Sequence, residues 1–110
     1  MDEFAENLRK EKFQVPVCTV CKAKSWPPSP FCQKCLSRTV FRKVKTEGIL
    51  QEFATSFVRD HEGVFGIVDM DGIKIIGSFA TDRLQKGMLV KMTKCGIKSG
   101  TPFYIFEPLR

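Results

Sequence analysis

Cys18, Cys21, Cys32 and Cys35 form two C-x-x-C pairs separated by ten residues. Each pair lets two sulfurs of one tight turn reach the same ion. Two such turns close a tetrahedral thiolate shell with metal–sulfur distances of about 2.3 Å. The spacing therefore predicts a rubredoxin-like zinc ribbon holding one structural Zn2+. Four protein ligands leave no coordination position for water or substrate, so the metal itself is not expected to be a catalytic centre. Disulfides could use the same residues, but the knuckle spacing fits a metal site more closely. Iron fits a lone tetrathiolate as well, and zinc is its commoner occupant.

A ribbon of this size cannot bury enough apolar surface to fold alone, so metal binding has to supply much of its folding free energy, on the order of 10 kcal/mol. The 110-residue chain leaves room for one further small module. Free thiols need a reducing compartment, and the N-terminus shows no apolar signal segment. No stretch approaches the roughly 20 apolar residues of a membrane span. The expectation is a soluble cytoplasmic protein with no membrane association.

The formal net charge is +6, and it is unevenly placed. From Lys12 to Thr46 there are eight basic residues and no acidic one, whereas from Gly48 to Arg110 eight basic face seven acidic residues. A zinc tetrathiolate, four anionic sulfurs on one divalent ion, brings the loaded chain to about +4. A basic ribbon suits an anionic partner: nucleic acid, a phosphorylated cofactor or an acidic protein surface. Part of that charge also offsets the negative thiolate site.

Residues 2–12 read as a helix with Phe4, Ala5 and Leu8 on one stripe, acids near its start and bases near its end. Pro16 then turns the chain into the first knuckle. Between the knuckles, Ser25-Trp26-Pro27-Pro28-Ser29-Pro30-Phe31 is stiff and aromatic at both ends. Trp26 and Phe31 have two readings: packing over the metal site, or apolar contact with a partner. After Arg38 the pattern changes to short β-branched and aromatic strands. Residues 39–45 lead through a bend at Gly48 into 49–58. A polar turn follows at Asp60-His61-Glu62-Gly63. Residues 64–70 and 73–79 flank Asp71-Gly72, a type I′ hairpin signal. A turn or single helical turn is expected from Thr81, then strands at 88–95 and 103–107. With the long curved run taken as one strand, five strands match an OB-fold barrel; an SH3-like barrel is the alternative. The division is 1–14 helix, 15–38 zinc ribbon and 39–110 barrel, an all-β chain with an N-terminal helix.

Candidates for catalysis are few. His61, the single histidine, lies in an acidic turn and reads as a solvated surface residue. Cys95, the fifth cysteine, reads as a small buried hydrophobe and not as a nucleophile. No phosphate-binding glycine motif or nucleophile elbow occurs. In the second and third barrel strands no exposed ladder of aromatic and basic residues emerges, and Phe53, Phe57, Phe65, Phe79, Phe103 and Phe106 read as core.

The two knuckles, Trp26-Pro27-Pro28, Gly48-Ile49-Leu50 and Lys86-Gly87-Met88-x-Val90, in this order behind a short amphipathic helix, resemble the zinc-ribbon and OB-fold proteins of domain-of-unknown-function family thirty-five. The resemblance spans nearly the whole chain. It implies a non-catalytic accessory subunit that binds a thiolase, or bridges a thiolase and a hydroxymethylglutaryl-CoA synthase-like protein, and helps bind or channel acyl-CoA. Two positions depart from the family: Ser29 stands where arginine is frequent, and Lys22 where glycine is. Contacts to CoA phosphates would then rest on Lys22, Lys24, Arg38 and Arg42, with Trp26 and Phe31 as partner contacts. The alternatives are a nucleic-acid-binding zinc-ribbon and OB module and, more distantly, an enzyme using Cys95.

Overall fold

The chain begins with an apolar stripe at helical spacing, and this becomes α1 (Asp2–Arg9), whose Leu8 is fully buried. The computed structural model describes residues 2–57, 59 and 62–109; His61 lies outside them. The helix stops three residues short of the expected Lys12. Glu11 takes φ 58°, the Glu11 N–H donates to Leu8 O at 2.8 Å and the Lys12 N–H donates to Asn7 O at 2.8 Å. That pair of bonds is a Schellman cap, closed by a glutamate where glycine is usual.

β1 (Gln14–Cys18) and β2 (Thr39–Lys43) pair antiparallel from Gln14↔Lys43 to Cys18↔Thr39, so one two-stranded ladder brackets both knuckles. The residues from Thr39 were expected to lead into the barrel. They are instead hydrogen-bonded to β1 and form a sheet separate from it. Local pattern cannot report this, because the partner strand lies more than 20 residues upstream.

The barrel consists of β3 (Glu47–Ser56), β4 (Gly63–Met70), β5 (Ile73–Phe79), β6 (Leu89–Lys98) and β7 (Thr101–Pro108). It closes in the order β3-β4-β5-β7-β6. β5 and β7 run parallel and every other pair is antiparallel. This is the OB-fold order. Strict alternation sends Ile73, Ile75, Gly77 and Phe79 of β5 inward with Val68 and Met70 of β4, against Leu50, Val90, Met92 and Phe106. The Phe106 ring lies where a Cβ on Gly77 would stand, so only glycine lets the two strands approach there.

The Asp71-Gly72 turn has φ 54° and 94°, the expected type I′ geometry. A second turn of the same kind, Ser99-Gly100 with φ 52° and 79°, extends β6 and β7 well beyond their expected ends. No helical turn forms after Thr81. That connection holds one buried apolar residue, Leu84, too little for a helical stripe, and Gly87 at φ 88° donates its N–H to Leu50 O at 2.8 Å to re-enter the barrel. Phe79 and Phe106 are core, and Phe53, Phe65 and Phe103 are half-buried. Phe57, expected inside, is 86% exposed and lies just past the end of β3.

A shared aromatic seam joins ribbon to barrel. Phe13 sits 6.0 Å from Trp26 and 5.7 Å from Tyr104 of β7, edge-on to the latter, and Phe4 of α1 lies 5.6 Å from Trp26. Beside it, Lys24 Nζ reaches Asp71 Oδ2 in the β4–β5 turn at 2.7 Å.

Candidate metal centre

The two knuckles are built alike. The Cys18 N–H donates to Ala23 O and the Cys32 N–H to Ser37 O, each at 2.8 Å, five residues on in both turns. The N–H of Val20 points at Cys18 Sγ and that of Lys34 at Cys32 Sγ, each at 3.3 Å. The residue after each second cysteine is left-handed, with φ 64° at Lys22 and 63° at Leu36. The Thr19 N–H and hydroxyl both donate to Arg38 O, at 3.1 and 3.0 Å, tying the first knuckle to the chain leaving the second.

This pairing brings the sulfurs of Cys18, Cys21, Cys32 and Cys35 all within 4.8 Å of one another. Cys18 Sγ lies 3.4 Å from Cys35 Sγ, and Cys21 Sγ lies 3.5 Å from Cys32 Sγ and 3.8 Å from Cys35 Sγ. A tetrahedron with metal–sulfur bonds of 2.3 Å has edges of about 3.8 Å. The four thiols are free and unbridged, and the set fits one tetrahedral ion. Without an ion their titration splits. Cys35 is lowered to about 6 by the Ser37 hydroxyl, the Ser37 N–H and Cys18. Cys21 is raised to about 11: the Ala23 N–H lowers it, but the neighbouring thiols of Cys32 and Cys18 and desolvation outweigh that. Four thiolates this close cannot all ionise unaided, and a divalent cation removes the conflict. The hydrogen bonds aimed at the sulfurs orient them for the metal and withdraw part of their charge.

The other residues singled out in the sequence scatter. Lys24 is engaged by Asp71, and Lys22 Nζ lies 3.2 Å from Thr19 O. Arg38 and Arg42 are exposed on the ribbon. Trp26 is half-buried in the aromatic seam, and Phe31 is 50% exposed. Cys95 is buried, and burial raises its thiol. Two surface features went unmarked in the sequence. One is a shallow apolar groove of about 250 Å³ on the barrel, lined by Phe53, Ala54, Phe65, Ile67 and Ile76. The other is the pair of knuckle tips, where Val20 and Leu36 are 68% and 76% exposed. Alternation in β4 and β5 could have located the groove; the tips follow from the C-x-x-C-x frame itself.

No family model matches the chain, and no curated protein matches it significantly. Solved structures do. One described as "Ltp2-ChsH2(DUF35) aldolase" superposes with a TM-score of 0.70, covering 96% of this chain and 89% of that chain at 20% sequence identity. The two share a fold. The match covers nearly the whole chain, and the arrangement of helix, ribbon and barrel implied by the resemblance to domain-of-unknown-function family thirty-five is the arrangement found. Among the described residues no helix is long and apolar enough to cross a membrane.

Proposed function

We propose that this chain is a non-catalytic member of domain-of-unknown-function family thirty-five. It binds a thiolase-type enzyme as an accessory subunit and helps hold or pass on an acyl-CoA intermediate. The observation that carries this reading is the likeness over 96% of the chain to a DUF35 structure whose name joins it to an aldolase. The chemistry of the cysteines agrees. The four ribbon cysteines are consumed by one closed site that would hold Zn2+ and stiffen the loop between the knuckles. The fifth cysteine is buried with a raised thiol, which is the opposite of an activated nucleophile. Because Lys24 is spent on Asp71, contact with CoA phosphates falls to Lys22, Arg38 and Arg42.

The nucleic-acid alternative gains little from the outer face of β4 and β5. It carries Phe65, Ile67 and Ile76 with Lys74 as its one base, an apolar strip instead of a basic stacking platform.

Co-expression with the thiolase-type enzyme of the same organism, followed by size-exclusion chromatography, tests the reading. A stoichiometric complex is expected, with acetoacetyl-CoA binding to the complex weakened by Arg38→Ala and Arg42→Ala. Separate elution of the two proteins at micromolar concentration would reject it.

A further inference from the structure

The two knuckles have the same backbone but different tips. In Cys18-Thr19-Val20-Cys21-Lys22 the third residue is apolar and the fifth a lysine; in Cys32-Gln33-Lys34-Cys35-Leu36 the order is reversed. The equivalence is structural: Val20 and Lys34 donate to their knuckle sulfurs at the same 3.3 Å, and Lys22 and Leu36 share φ 64° and 63°. Each tip thus presents one aliphatic and one cationic side chain to solvent. The Thr19–Arg38 hydrogen bonds and the Phe31↔Arg38 bridge tie both knuckles to Arg38, beside half-exposed Phe31.

Leu36 is the telling member. A leucine in the left-handed region is strained, because its Cβ crowds the following carbonyl, and glycine takes such a position freely. The knuckle turn fixes this backbone, with the Leu36 N–H donating to Cys32 O at 3.0 Å, but burial adds nothing for the leucine side chain, which is 76% exposed. An exposed apolar side chain held in a strained backbone points to a contact made outside the chain. Its surroundings define that contact. The stretch from Lys12 to Thr46 has eight bases and no acid, so a partner surface must bring the carboxylates.

We propose that the knuckle tips are the docking face of this protein, with Val20 and Leu36 entering an apolar depression on the partner enzyme and carboxylates around that depression meeting Lys34. The proposal rests on the accessory-subunit reading above and adds the face and the chemistry of the partner's complementary site. Phosphate contact and docking then occupy adjoining parts of the ribbon, while the barrel groove takes no part in docking.

Leu36→Gly is the decisive variant, because it removes the side chain and the strain together. With full-length, zinc-loaded protein and the purified thiolase-type enzyme of the same organism as probe, we expect Leu36→Gly to bind at least about tenfold more weakly. Its melting temperature should be unchanged or higher and its zinc content one per chain. Val20→Ser should act in the same direction, and Lys34→Glu should slow association most at low salt. Wild-type affinity in Leu36→Gly and Val20→Ser would overturn this proposal and leave the accessory-subunit reading standing. Failure of the wild-type protein to bind would remove both. Binding of the wild-type protein to vesicles of phosphatidylserine and phosphatidylcholine, lost in Leu36→Gly, would reassign the tips to a membrane and also overturn it.

Discussion

Ribbon and barrel solve the same problem, ordering a short chain, by different means. In the barrel, alternating strands bring Leu50, Val68, Met70, Ile75, Val90 and Phe106 into one interior with at most 1% of each exposed. In the ribbon the buried apolar side chains reduce to Val15, Pro16 and two of the cysteines, while Val20, Phe31, Leu36 and Val40 face outward. The barrel is held by what it buries. The ribbon would be held by what its cysteines bind, and this frees its other side chains for the surface. A region that need not spend its apolar residues on a core can display them, and the basic charge from Lys12 to Thr46 lies on that same region. The division of labour predicts that the two halves respond differently to the same insult.

Metal removal should produce the largest difference. Stripping the ion with a chelator, or replacing Cys32 with serine, is expected to cost the ribbon on the order of 10 kcal/mol and unfold it. The barrel, whose core contains no knuckle residue, should persist. The single tryptophan, Trp26, lies in the ribbon at its seam with α1 and Phe13, so it reports on the ribbon and its packing there. Its fluorescence should shift to the red on chelation while the strand signal in circular dichroism is largely kept. Simultaneous loss of both signals would break the comparison and show that the barrel depends on the metal too.

The seam decides how far the halves are coupled. Phe13 is 7% exposed and contacts Trp26 on one side and Tyr104 on the other, so Phe13→Ala removes the ring that both halves share. A loss of about 3–5 kcal/mol is expected for truncating a buried phenylalanine. Scanning calorimetry should show the wild-type transition separating into two, with the ribbon melting first. A single transition displaced as a whole would mean that the Lys24–Asp71 contact and α1 suffice to keep the halves together.

What the sequence conveys about each half follows from the kind of interaction that holds it. Thiolate chemistry requires short, fixed spacings, so the metal site is legible in four letters and their intervals. The strands of the barrel announce themselves by alternation, and the Asp71-Gly72 turn by the positive φ it needs. Ser99-Gly100 needs the same φ values but lacks the aspartate that makes the signal conspicuous. Long-range pairing has no such local trace. β2 looks like the lead-in to a barrel strand, and only the β1 ladder draws it into the ribbon. Trp26 illustrates a related gap: an aromatic among prolines reads as a loop residue, and the helix and Phe13 that half-bury it are distant in sequence. Leu36 was legible in principle, since the residue after a second knuckle cysteine is left-handed, but its exposure depends on the surrounding fold.

The smallest expected effect lies at the polar link between the halves. Lys24 holds the Asp71 carboxyl below its ordinary 3.8 by hydrogen bonding and by charge, and Lys45 adds to the latter. In the unfolded chain the carboxyl returns to its ordinary value. The folded state therefore favours the ionised form, and the contribution to stability is fully present above the ordinary value and is lost as pH falls through the lowered one. Asp71 is 72% exposed, so water and salt screen the pair and its contribution is small. Asparagine serves a type I′ turn as well as aspartate, so Asp71→Asn removes the charge and leaves the turn intact. The variant should melt slightly below wild type at neutral pH and low salt. The gap should close as pH falls through the lowered carboxyl value and, at neutral pH, at about 1 M salt, where the charge is respectively neutralised and screened. A gap that survives both conditions would place the role of Asp71 in the turn, where the Gly72 N–H donates to Asp69 Oδ1 at 2.9 Å, and would leave the aromatic seam as the sole coupling between ribbon and barrel at that edge.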